Sequence, residues 1–239
     1  MKLHSDLLQN ATVQTNSLIW RKSPMPGVKR QLIEREGDEV ARATSLVHYD
    51  ENTRFSEHVH DKGEEFLVLE GIFSDENGDY PAGTYVRNPS GSKHSPYCEN
   101  GCTILVKLRQ FHPEDQSVVR IDSTKAKWQK SSRKGITFLA LHQFGSENVA
   151  LIQSHVDTLL WDRSFEQGLE IFILSGRTES TGEINTAGAW LRIAPGQKNK
   201  LIVSKGTRLL VKTGHLPEVS LGEPLAWQEL LNSQENDHE

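Results

Sequence analysis

The sequence predicts an all-β chain of two tandem domains with a short C-terminal helix, and three observations lead there. Short runs rich in Val, Ile, Leu, Phe and Tyr recur between Gly, Pro, Asn and Asp punctuation. The second half repeats the first at an offset near 105 residues. Helical spacing of apolar residues is confined to one segment near the end.

In the first half the strands are expected over residues 43–49, 65–73, 84–86 and 103–108. Asp75-Glu76-Asn77-Gly78 reads as the turn between two of them. Many short antiparallel strands at this spacing mean a jelly roll or a barrel. Cys98 and Cys102 flank Glu99-Asn100-Gly101, whose Asn-Gly pair signals a tight hairpin. The pair reads either as two small buried apolar residues or as redox-sensitive thiols. The helix is expected to start at Glu223-Pro224 and run through residues 225–231, since proline suits a first helical turn. Residues 232–239 are polar and expected to fray.

The repeat is legible residue by residue. Trp20-Arg21-Lys22-Ser23 returns as Trp128-Gln129-Lys130-Ser131, and residues 65–71 return as 170–176. Ala82-Gly83-Thr84-Tyr85 returns as Ala187-Gly188-Ala189-Trp190. The domains are therefore drawn as 1–122 and 123–239, with the junction in the polar stretch 122–127.

Composition excludes several classes. At 239 residues with 36% hydrophobic content the chain can bury sizeable cores. A mean hydropathy of −0.54, and no apolar run near the ~20 residues of a spanning helix, argue against a membrane protein. The N-terminus lacks the apolar core of a signal peptide, and two cysteines cannot form a disulfide framework. A cytoplasmic location is expected. The net charge of −5 argues against nucleic acid, which asks for a basic face.

The chemistry lies in His58-Val59-His60-Asp61-Lys62-Gly63-Glu64 and in His94, thirty residues further on. Histidines at i and i+2 share one face of an extended strand. Three imidazoles and one carboxylate make a complete ligand set for a divalent metal, with positions left for water or substrate. Glu65, one residue along, points to the opposite face and is read as structural. Tyr85, Tyr97 and Arg87 are weaker candidates for pocket residues. At the repeat offset His58 becomes Arg163, His60 becomes Phe165, Glu64 becomes Leu169 and His94 becomes Asn199. The second domain is thus expected to be a degenerate, metal-free copy, with His155 and His215 as ordinary polar residues.

His58-x-His60-x3-Glu64-x6-Gly71 and Gly83-x5-Pro89-x-Gly91-x2-His94 resemble the two cupin motifs. Asn52 stands where the first motif opens with glycine, and Cys98 where the second ends in asparagine. Residues 20–111 are similar to the zinc-binding cupin-like domain of ChrR-type anti-sigma factors, through Ser23-Pro24, Pro26-Gly27-Val28, residues 63–71 and residues 80–85. The resemblance implies two cupin domains of double-stranded β-helix type, a bicupin. It implies one divalent metal per chain, zinc or iron(II), with manganese or nickel as further choices, and a regulatory or stress-sensing role. The N-terminal helical zinc domain that grips a sigma factor in that family has no counterpart here, so direct sigma-factor binding is not expected. The alternative implied by such a site is a non-heme Fe(II) dioxygenase or related cupin enzyme acting on a small molecule. A homodimer formed by pairing sheet edges is also expected.

Overall fold

The computed structural model describes residues 1–180, 182–222 and 225–231 and divides the chain into two compact units. Both are all-β jelly rolls.

The first unit comprises Met1–Ser5 and Ser17–Ala126. Its large sheet orders the strands Lys2–Leu3, Val28–Gly37, Ala41–Tyr49, Cys102–Leu108, Glu64–Asp75, Thr84–Asn88 and Val119–Asp122, each antiparallel to its neighbour. Alternation along these strands sends one set of side chains inward. Val47, Tyr49, Phe66, Val68, Phe73, Ile104 and Val106 form the core. A bulge at Thr103/Ile104 shifts the register against Glu64–Asp75. Beyond it that long strand leaves the large sheet to pair with Gly78–Pro81, through the turn expected at Asp75–Gly78, and with Tyr97–Cys98. His58–Val59 and Lys93–His94 form a separate two-stranded ribbon.

Two local readings resolve here. Asn52 has φ 58°, the left-handed backbone that glycine or asparagine tolerates. The Asn100-Gly101 turn is not a hairpin. Tyr97–Cys98 pairs with Thr53–Arg54, whereas Cys102–Leu108 pairs with strands of the large sheet, so the turn carries the chain between sheets. Cys98 and Cys102 are joined as a disulfide across it, with Cα atoms 6.3 Å apart.

The second unit comprises Asp6–Asn16 and Lys127–Glu239. One sheet orders Gln129–Lys130, Ile136–Phe144, Glu147–Ser154, Arg208–Thr213, Leu169–Ser175, Ala189–Ile193 and Ala11–Gln14. A second holds Thr158–Ser164, Lys198–Val203, Arg177–Ser180 and Glu183–Thr186. The helix Trp227–Leu231 buries Trp227, Leu230 and Leu231 in this unit's core. Its expected start at Glu223-Pro224, and the polar tail 232–239, lie outside the described residues.

The unit boundaries differ from a simple cut after residue 122. The strand beside Ala189–Ile193 is Ala11–Gln14, from the start of the chain, with Gln14 opposite Ala189. The strand at the same place beside Thr84–Asn88 is Val119–Asp122, which leads into the second repeat, with Asp122 opposite Thr84. Each repeat thus lends its leading strand to the other unit. Arg192 fixes the lent segment by donating to the carbonyls of Asp6 and Gln9 at 2.9 and 3.1 Å.

Candidate metal centre

Two short strands and the start of a long one in the first unit bring the ligand-type residues together. His58 and His94 are directly opposite in the two-stranded ribbon, and His60 follows at its end. The three imidazole centroids lie 4.7–5.0 Å apart. Their nitrogens form one compact donor group. Glu64, the first residue of the strand Glu64–Asp75, places Oε2 3.5 Å from His60 Nε2 and 3.6 Å from His94 Nε2.

These groups fit a metal ion. His60 Nε2 and His94 Nε2 are buried and make no hydrogen bond within the protein. Two donors each ~2.1 Å from a tetrahedral ion stand about 3.4 Å apart, close to the separations from Glu64. Burial lowers the pKa of His60, and the neighbouring His94 and His58 reinforce this against the opposing pull of Glu64. The imidazole is thereby biased toward the neutral form that carries a free lone pair.

A second layer of residues orients the donors, and the sequence reading missed it. His94 Nδ1 is 3.1 Å from Asp75 Oδ2; donation to that carboxylate leaves the Nε2 lone pair facing the site. Burial would raise the Asp75 carboxyl, but hydrogen bonds from His94, the Asn77 amide and the Tyr80 hydroxyl outweigh it and hold the pKa at about 2. Asn88 Nδ2 donates to Glu64 Oε2 at 3.1 Å. Arg120 joins the two paths, donating to Asn88 Oδ1 at 2.5 Å and to Tyr80 Oη at 3.1 Å. Arg120 stands on the lent strand Val119–Asp122. The only sequence signal for Asp75 was its place in a turn, and for Arg120 there was none.

Glu65 lies on the other side of the sheet. Its Oε2 accepts from Tyr85 Oη at 2.5 Å and from Arg87 Nη1 at 2.8 Å, and Arg87 Nη2 reaches Asp115 at 2.5 Å. Tyr85 and Arg87 therefore belong to a buried ionic cluster rather than to the site. Tyr97 packs under the Arg54 guanidinium.

The donors open onto a cavity of about 270 Å³. Val28, Val47, Tyr49, Phe55, Phe73 and Leu108 give it an apolar wall. Burial pushes the Tyr49 hydroxyl well above the usual tyrosine range, with the Glu64 charge adding to the effect.

The second unit shows what replaced the donors. Arg163 and Asn199 are opposite each other, as His58 and His94 are. Asn199 Nδ2 donates to Ser180 Oγ at 2.7 Å, at the positions matching His94 and Asp75, and Trp161 Nε1 donates to Asn199 Oδ1 at 3.1 Å. Phe165, Leu169 and Trp161 fill the interior. Neither Phe165 nor Leu169 offers a lone pair to a metal. His155 and His215 serve as polar partners, of Thr137 and of Glu170 respectively.

The model of the ChrR cupin-like domain matches residues 8–112 and again residues 116–217. The chain belongs to the ChrR cupin-like family. Each family segment begins just before a lent strand, so the family repeat and the compact unit are offset by that exchange. No curated protein sequence matches this ChrR cupin-like chain. Among solved structures it is similar to a dioxygenase candidate from Nostoc punctiforme, with TM-score 0.73 and 14% identity over 92% of this chain and 87% of that one. It is also similar to the protein Ylba from E. coli, with TM-score 0.67 and 12% identity over 87% and 92% of the two chains. The E. coli pirin YhhW in complex with nickel(II) gives TM-score 0.58 and 14% identity over 88% and 100%. At these identities the likeness is one of fold. No helix among the described residues is long and apolar enough to cross a membrane.

Proposed function

We propose that His58, His60, Glu64 and His94 hold one divalent metal ion per chain, and that the chain is a metal-dependent enzyme acting on a small molecule in the adjoining cavity. The observation that carries this reading is the cavity itself. A structural metal site is closed by its four protein ligands, whereas here the four donors face a 270 Å³ space with an apolar wall. Iron(II) bound there would supply oxygen chemistry, and zinc a Lewis acid for hydrolysis or isomerisation. The protein's own part is to orient the donors through Asp75 and Asn88, exclude bulk water with the apolar wall, and seat the substrate. The likeness in fold to the Nostoc dioxygenase candidate agrees with the oxygen reading.

A stress-sensing role is a second reading, favoured by the Cys98–Cys102 disulfide. Cys98 and Cys102 pack in the same core cluster as Phe73, which also lines the cavity. Elemental analysis of protein purified without added metal tests the proposal. About one equivalent of iron supports oxygen chemistry, one of zinc supports the hydrolytic or sensing roles, and no metal at all overturns the assignment.

A further inference from the structure

The geometry points to an anion subsite in the same cavity, built on Arg35, so that the substrate is a small organic acid whose carboxylate meets this guanidinium while another oxygen faces the metal. The inference rests on the metal reading above and adds the chemical class of the ligand.

Arg35 is only 7% exposed, on the strand Val28–Gly37. Its one hydrogen bond runs from Nη2 to the Glu39 carbonyl at 3.3 Å. Among the described residues no carboxylate lies within ion-pairing distance of it. The two nearby acids are engaged elsewhere: Glu39 stands 3.8 Å from Arg30, and Asp38 accepts from the N-terminal ammonium at 2.8 Å. Burial, reinforced by the like charge of Arg30, lowers the Arg35 pKa against the opposing pull of Glu39 and Asp38. A buried guanidinium with no carboxylate in ion-pair contact is costly to the folded state, and an anion entering the cavity would offset that cost.

The register aims Arg35 at the metal centre. Arg35 pairs with Ala43, Ala43 with Leu108, and Leu108 with Glu64. Directly opposed residues share a face of the sheet, so Arg35 and Glu64 project to the same side. Three inter-strand steps separate their Cα atoms by about 14 Å, and both side chains line the one cavity. The wall between them is mainly apolar, from Leu108, Val106 and Val47, with Ser45 opposite Val106 as its polar member. A ligand matching this sequence of surfaces carries an oxygen donor, a short carbon chain and a carboxylate. The bidentate fork of arginine suits that carboxylate.

The test uses the full-length chain loaded with cobalt(II), titrated with the linear dicarboxylates from malonate to adipate and with their monomethyl esters. Calorimetry reads affinity and the visible cobalt bands read contact with the metal. At least one diacid is expected to perturb the cobalt bands and bind tenfold or more tightly than its monomethyl ester. Arg35→Gln is expected to abolish that preference with metal content unchanged, and Arg35→Lys to keep part of it. The subsite is overturned if the metal-loaded wild type shows no diacid preference, or if a folded Arg35→Gln keeps it. Should that variant fail to fold, the acid-against-ester comparison on the wild type decides alone. A wild-type chain that takes up no cobalt would overturn the metal reading instead, a result distinguishable by metal analysis before any ligand is added.

Discussion

Glu64 and Glu65 are consecutive residues whose carboxylates face opposite sides of one strand: Glu64 approaches His60 and His94, while Glu65 pairs with Arg87. Adjacent side chains on a strand must diverge in this way. The two positions should therefore fail differently when altered.

Glu64→Gln is expected to lose most metal binding with little loss of fold. Glu65→Gln is expected to keep the metal but to destabilise the protein by about 3–5 kcal/mol, because it leaves the fully buried Arg87 short of one charge partner. Metal analysis and thermal unfolding of both variants check this. Loss of metal in Glu65→Gln alone would reverse the assignment.

Asp75→Asn and Arg120→Gln are each expected to weaken metal binding by about 10- to 100-fold while leaving the direct ligands in place. Competition with a chromophoric chelator measures the change. The double variant should fall short of the product of the single effects, because Tyr80 links Arg120 to Asp75. Fully multiplicative effects would mean that the two paths are independent.

The strand exchange predicts how halves of the chain behave. Residues 1–122 alone keep Val119–Asp122 but leave Ala11–Gln14 without its partner strand, and residues 123–239 alone expose the edge of Ala189–Ile193. Exposed edges pair with other chains. Each half should aggregate by itself, and co-expression should restore solubility and metal content. A soluble, cooperatively folding 1–122 fragment with normal metal affinity would contradict this.

Native protein is expected to show no titratable thiol, and two per chain after reduction and unfolding. Cys98→Ser with Cys102→Ser should cost about 2 kcal/mol, the loop-closure value for so short a ring. Thiol titration with and without dithiothreitol, followed by denaturant unfolding, measures both. If reduction also changes metal affinity, the sensing reading gains support over a purely structural bond.

By itself the sequence determined the all-β class, the duplication and the convergence of His58, His60, Glu64 and His94, because these rest on local periodicity, on a repeat at a near-constant offset and on the spacing of two motifs. It also placed Glu65 on the opposite face, since a period of two needs no tertiary information. Tertiary structure decided the rest. Which strand completes each sheet depends on non-local pairings, Thr84 with Asp122 in one unit and Gln14 with Ala189 in the other, and no local signal distinguishes them from pairing within a repeat. The same applies to Asp75, Arg120 and Arg35, whose roles arise only when sheet register sets side chains from distant segments around one cavity. Likewise the Asn-Gly turn fixed a local reversal, while the partner of each flanking strand was chosen by the packing of the two sheets around the core.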